Sequence, residues 1–274
     1  MSNFSAIITL ILSIALSIGI IWIGNNINLL PEQASTNAPI YDELSMVLFS
    51  IGTVLFVGMV SFVVYSLIKF RKKPGEKGDG LSIEGNLSLE IFWTAVPAIV
   101  VLFVGLYSYD IYDRMGGMKP LSHTEHDHAG MMQEERVWGG IGSGEDNFTN
   151  GANSTSIPIE VTAMQFAFLF HYPKGDIISG ELHVPVNEKI SMRMTSKDVI
   201  HAFWVPQFRI KQDVIPGQPT ILNFTPTKIG RYPIVCAELC GPYHGGMRST
   251  VVVENSNEYQ DWFEKNAKTP SSEL

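Results

Sequence analysis

The segment Cys236-Ala-Glu238-Leu-Cys240-Gly-Pro-Tyr-His244-Gly-Gly-Met247 holds the only two cysteines of a 274-residue chain, with a histidine and a methionine close behind. Two thiolates, an imidazole and a thioether on one short stretch form a soft donor set, and such a set selects copper. A mononuclear blue site uses two histidines, one cysteine and a long axial methionine. Here a second cysteine stands four residues after the first. Two thiolates can then face one point and each can bridge two metals, which suggests a dinuclear centre sharing one electron. Such a centre requires a second histidine from elsewhere in the chain. Three alternatives compete. A Cys236–Cys240 disulfide would suit an oxidising compartment but leaves His244 and Met247 without a role. Zinc takes methionine poorly. Buried cysteines with no metal are the third.

Asp198-Val-Ile-His201-Ala-Phe-Trp-Val-Pro206 supplies the second histidine. A histidine leaving a strand among apolar residues can be held rigidly at the mouth of a sandwich. Phe203 and Trp204 are expected to limit water around it. His171 and His183 lack a comparable context and read as structural. His123, His126 and His128 precede Met131 and Met132 in a stretch rich in Gly, Ser and Asn. That run is either a transient copper-capture segment or a polar linker.

The elements that must position these ligands follow from patterning. Residues 158–162, 165–172, 181–184, 190–194, 220–224, 232–236 and 249–253 read as short strands, with turns at Pro173-Lys-Gly-Asp176, Pro216-Gly217 and Ile229-Gly230. So many short strands within about 100 residues indicate an antiparallel sandwich or barrel. The Cys236–Met247 loop joins the last two strands, as suits a metal held at one end of a sandwich. A short helix is expected over 259–266, within a tail spanning 255–274.

Upstream the character changes. Residues 1–30 carry no charge, and Phe4 to Gly24 is apolar enough to span a bilayer. The segment lacks a basic start and a small-residue cleavage pattern, so it reads as a retained anchor in preference to a signal. Transmembrane helices are expected over 44–70 and 90–112, with a loop at 71–89 and a linker at 113–156. Pro97 falls inside the second of these helices, where neighbouring groups can satisfy the freed carbonyl. Lys69, Arg71, Lys72, Lys73 and Lys77 lie at or within the loop, and positive charge marks the cytoplasmic side. The strand-rich region, with its metal loop, is then non-cytoplasmic.

Composition narrows the remaining classes. The net charge of −8 argues against nucleic acid as a partner. Two cysteines are too few for a disulfide framework, and there is no Cys-x-x-Cys-His haem-attachment motif.

With these residues placed, the chain resembles subunit 2 of the haem–copper cytochrome c oxidases, with some likeness to cyanobacterial members. The resemblance lies in Val199-Ile-His201-Ala-Phe-Trp-Val-Pro206, Lys211-Gln-Asp213-Val-Ile-Pro-Gly217, Cys236-x-Glu238-x-Cys240-Gly-x-x-His244-x-x-Met247 and Leu89-Glu90-Ile-Phe-Trp-Thr-Ala-Val-Pro97. It implies a membrane-anchored all-β protein: a transmembrane helical hairpin, with a possible third N-terminal helix, followed by a cupredoxin-like Greek-key sandwich over 157–254. It also implies a two-copper CuA centre on His201, Cys236, Cys240, His244 and Met247, completed by the backbone carbonyl of Glu238. The Glu238 side chain would face a magnesium ion at the boundary with subunit 1, and Glu90 would match a carboxylate at a proton-uptake channel. By its chemistry alone Glu90 could equally cap its helix.

The implied partners are oxidase subunits 1 and 3, the lipid bilayer, and a soluble c-type cytochrome or plastocyanin-like donor. Haem would be confined to the partner subunit. Members of the family commonly present a tryptophan pair after a glutamine, where the donor docks, whereas this chain reads Gln165-Phe166-Ala-Phe168. Phe166, Phe168 and Asp213 are the expected docking residues, although either phenylalanine could be an ordinary strand residue. A quinol oxidase subunit would have lost the copper ligands. A membrane-tethered copper carrier remains the alternative from another class.

Overall fold

Three charge-poor apolar runs become three long helices, α1 (Ser2–Asn26), α2 (Asn37–Lys69) and α3 (Leu87–Arg114), each long and apolar enough to cross a membrane. In this computed structural model residues 2–27, 30–72, 74–75, 85–116, 138–139 and 156–268 are described. His123, His126 and His128 lie outside them. Two units are distinguished: residues 1–30 with 42–109, and residues 31–41 with 110–274.

The helices show why they need lipid. Apolar side chains point outward all round, as with Leu12 at 63%, Phe62 at 69% and Val101 at 70% exposure. A helix apolar on every side has no water-facing stripe and belongs in a bilayer. The N-terminal run is helical, so the possible third helix forms. α2 starts seven residues before the expected position 44, because Asn37 to Glu43 continues the helix beyond its apolar part. α3 runs on through Pro97. Its first turn is capped by Asn86, whose Oδ1 accepts from the Leu89 N–H at 3.1 Å.

The second unit is a two-sheet sandwich. Its strands in chain order are β1 (Trp138–Gly139), β2 (Ile157–Met164), β3 (Ala167–Tyr172), β4 (Ile177–Ser179), β5 (Leu182–Pro185), β6 (Ile190–Ser196), β7 (His201–Val205), β8 (Ile210–Val214), β9 (Thr220–Phe224), β10 (Gly230–Cys236) and β11 (Arg248–Glu254). One sheet has the order β1-β9-β6-β2-β3-β4 and the other β5-β11-β10-β7-β8. The chain passes repeatedly from sheet to sheet, which is the cupredoxin-like arrangement. The sandwich is not purely antiparallel as expected: β2 pairs with β6 and β5 with β11 in parallel. Strands that follow a crossing between sheets return in the same direction, and local patterning does not record that.

Alternation decides which side chains face inward. Ile159, Val161 and Ala163 of β2, Phe168 and Phe170 of β3, Phe203 and Val205 of β7, and Tyr232, Ile234 and Cys236 of β10 are all buried. Phe203 joins the layers, with ring edges against Phe168 at 5.9 Å and Phe170 at 6.5 Å between centroids.

Two segments outside the expected limits of 157–254 complete the unit. Residues 31–36 form a strap on its surface. The Ala34 N–H donates to Gln207 O, the Thr227 N–H to Ala34 O, and the Ser35 hydroxyl to Phe208 O at 2.7 Å. Ala34 is fully buried. The tail holds α4 (Ser256–Asn266), started by a reciprocal capping box between Asn255 and Glu258. Trp262 stacks on His183 at 4.2 Å and meets the edge of Tyr172.

His183 also contacts Glu254, while His171 lies between Glu160 and Asp176. Both histidines therefore serve structure. Replacing the fully buried Phe203 by Ala is expected to cost about 3–5 kcal/mol. Thermal unfolding followed by near-ultraviolet circular dichroism should show a correspondingly lower midpoint.

Candidate metal centre

The inward parity of β10 carries Cys236 into the end of the sandwich, where the strand stops. Its backbone N–H donates to Met247 O at 3.1 Å, closing the loop on itself, and the next N–H, of Ala237, donates to Ala202 O at 3.1 Å. Cys236 is also the register partner of Phe203. These contacts bring β7, β10 and the start of β11 to one point. His201 opens β7; it does not leave a strand, as the sequence suggested, because the apolar run after it forms β7 itself.

Around that point the donor atoms converge. Cys236 Sγ lies 3.9 Å from Cys240 Sγ, 3.8 Å from His201 Nδ1 and 3.3 Å from the Glu238 carbonyl oxygen. Cys240 Sγ lies 3.5 Å from His244 Nδ1 and 3.7 Å from Met247 Sδ. Both cysteines are free. A 3.9 Å separation is far beyond a disulfide bond of about 2.05 Å. His201 and Met247 are fully buried and each cysteine is 3% exposed. Nitrogen, thiolate and thioether donors converging in a largely buried site fit copper; zinc would leave the thioether without purpose.

The structure adds residues that sequence reasoning passed over. Asp198 Oδ1 meets His201 Nε2 at 2.8 Å, leaving Nδ1 to face the sulfurs. A carboxylate behind a ligating imidazole fixes the ring's tautomer and orientation. Burial works to raise the Asp198 carboxyl, but hydrogen bonds from His201 and from the Gln165 and Val199 N–H groups outweigh it and hold it at about 2. The Asp-x-x-His spacing was a legible signal for this pair. Tyr243, 71% exposed, sets its ring at 5.4 Å and nearly perpendicular to that of Phe166. Gly241 makes that approach possible: with φ +135, it has Phe166 ring atoms 3.2 Å from where a Cβ would lie.

Other expectations resolve unevenly. Phe166 is half-buried beside the ligand loop, and Asp213 is half-buried on β8 opposite Ala202. Phe168 is only 2% exposed, so it belongs to the core and offers a donor nothing. Phe166 stands in the turn before β3 and escapes its alternation, which turns Phe168 inward. Trp204 is 38% exposed on the outer face of β7, so of the two residues expected to limit water Phe203 alone is buried. Glu238 points a side chain to the exterior. Glu90 lies exposed in the first turn of α3, far along the chain from the metal loop.

Three apolar helices joined to a cupredoxin-like sandwich with a buried His/Cys/Cys cluster define a membrane-anchored protein with a copper-type site. Residues 176–256 match the family described as cytochrome c oxidase subunit II, periplasmic domain, and residues 22–111 match its transmembrane domain. Cytochrome c oxidase subunit 2 of Thermostichus vulcanus is 42% identical, covering 96% of this chain and 86% of that protein. The Synechocystis protein of the same description is 38% identical, covering 98% and 85%. Among solved structures, the periplasmic domain of subunit II of Bradyrhizobium japonicum cytochrome oxidase is 30% identical, covering 42% of this chain and 96% of that one, with a TM-score of 0.39. The chain belongs to the cytochrome c oxidase subunit 2 family. It is thus a membrane subunit of a haem–copper oxidase, with a periplasmic copper-binding domain and partner subunits such as subunit 1.

Burial, and then the neighbouring Cys236 sulfur, push the Cys240 thiol up to about 11. The thiol keeps its proton at neutral pH, so metal binding must displace it. The sign follows. A raised thiol destabilises the metal-free fold as pH climbs from its ordinary 9.0 towards about 11, whereas apparent copper affinity grows with pH below that range. Chelator competition should show about a tenfold gain per pH unit for each thiol proton displaced. Asp198→Asn, by loosening His201, should weaken copper retention about 10–100-fold in the same assay.

Proposed function

We propose that this chain takes electrons singly from a soluble donor at a dinuclear CuA centre and passes them to subunit 1, where oxygen is reduced to water and protons are pumped. The burial of His201, Cys236, Cys240 and Met247 carries this reading. A carrier that delivers copper must expose its ligands for exchange, and here four of the five ligand side chains are buried and His244 is half-buried.

With their sulfurs 3.9 Å apart, Cys236 and Cys240 would both serve as thiolate ligands to the copper pair. His201 approaches from the Cys236 side and His244 from the Cys240 side. Met247 and the Glu238 carbonyl would supply the two weaker donors. When bound, the copper pair takes up and gives out one electron. Cys236 and Cys240 spread the change in charge over two sulfurs, Phe203 keeps water out, and Asp198 stabilises the positive charge gathered at His201.

Around this core the remaining residues take supporting roles. The exposed Glu238 carboxylate would reach magnesium at the boundary with subunit 1. Asn86 already caps α3, which leaves the Glu90 carboxylate available for proton uptake. Phe166, with Tyr243 over it, and Asp213 would receive the donor, a c-type cytochrome or a plastocyanin-like protein. Subunit 3 is a further partner in this assembly.

Electron paramagnetic resonance of the purified oxidase tests the centre directly. Hyperfine structure from two equivalent copper nuclei is expected, and Cys240→Ser should abolish it. A mononuclear copper spectrum in the wild-type protein, or a two-nucleus pattern surviving Cys240→Ser, sinks the reading.

A further inference from the structure

Gln165 lies in the turn between β2 and β3 and touches both arms of the ligand set. Its backbone N–H donates to Asp198 Oδ2 at 2.7 Å, and the other oxygen of that carboxylate holds His201 Nε2 at 2.8 Å. Its side-chain Nε2 donates to the Cys240 carbonyl at 2.6 Å. His201 Nδ1 and Cys240 Sγ in turn both face Cys236 Sγ. The contacts close a ring from Gln165 through Asp198, His201, Cys236 and Cys240 back to Gln165. Without a Gln165 side chain, the ring opens between Cys240 and the β2–β3 turn.

Gly241 supplies an independent sign that this approach is built in. A Cβ there would lie 2.9 Å from Gln165 Nε2. Its φ of +135 also belongs to a region that favours glycine. The ligand loop therefore carries, directly after Cys240, the one residue type that admits the glutamine amide.

We infer that Gln165 is a positioning residue for electron transfer, a tether that holds the Cys240 arm of the centre at a fixed distance from the His201 arm. The inference rests on the copper reading given above. Cys240 sits on a loop without regular structure, whereas His201 belongs to a strand. A change of charge at the sulfurs would displace the loop more than the strand, making the two arms move unequally. The hydrogen bond from the Gln165 side-chain amide opposes that motion, so the ligand frame stays alike in both oxidation states. Phe166, the neighbouring residue, packs against exposed Tyr243; the turn that tethers the loop also underlies the proposed donor contact.

Gln165→Met in the assembled oxidase tests this, because methionine keeps the unbranched, neutral shape and removes the donor. Copper content should remain complete. Loss of one net hydrogen bond should make amide hydrogen exchange of residues 237–244 roughly fivefold faster, in loaded and copper-free protein alike. Release of copper(I) to a chelator should also rise roughly fivefold. The hyperfine couplings of the two copper nuclei should become unequal, and kcat with a reduced c-type cytochrome should fall while KM holds.

Wild-type exchange, retention and hyperfine pattern in Gln165→Met overturn the inference. Should that variant fail to assemble, Gln165→Leu, likewise neutral and without a donor, carries the same expectations. The wild-type oxidase separates the two levels. A wild-type signal without two-nucleus coupling sinks the copper reading and this inference together, whereas a normal wild-type signal with an unaltered variant sinks the tether alone.

Discussion

The structure depends on the register between β7 and β10 at the end of the sandwich. Cys236 is the register partner of Phe203, and the next N–H donates to the Ala202 carbonyl. A shift of β10 by one residue against β7 would turn Cys236, Ile234 and Tyr232 to the outer face, away from Phe203. The metal ligands and the aromatic centre of the core are thus set by the same pairing. That is why a redox site can be rigid without being large: its ligands are placed by strands already committed to packing.

The buried polar groups at this end are satisfied in an ordered way. A fully buried imidazole costs free energy unless both nitrogens have partners. His201 has Asp198 on one side and the sulfur cluster on the other. Asp198 itself accepts from the Gln165 and Val199 N–H groups. The polar network therefore reaches back into the β2–β3 turn. The ligand loop is held from two directions, by its own strand ends and by that turn.

The sandwich is also closed by pieces that are distant in sequence. The 31–36 strap adds backbone hydrogen bonds and a buried alanine, and α4 covers the face around His183 and Tyr172. The Lys228–Glu32 ion pair is exposed, and such pairs contribute little to stability. The strap is held mainly by its backbone bonds to residues 207, 225 and 227.

Much was determined by the sequence alone. Apolar length specified the helices, because a bilayer span needs a minimum run of such residues whatever surrounds it. Donor chemistry and spacing in Cys236–Met247 specified soft-metal binding, since four ligands on one loop are near neighbours in any fold. Only the tertiary structure decided what came from elsewhere. His201 opens a strand, Phe168 turns inward while Phe166 stays at the surface, and the sheets contain parallel pairs. Asp198 stands three residues before His201, a spacing that was legible, but Gln165 stands 71 residues before Cys236 in the numbering, and nothing in its local pattern states which atoms it meets. Which parity of a strand faces inward, and where the chain crosses between sheets, are non-local. They follow from which strands pair, and that is settled by the packing of the whole sandwich.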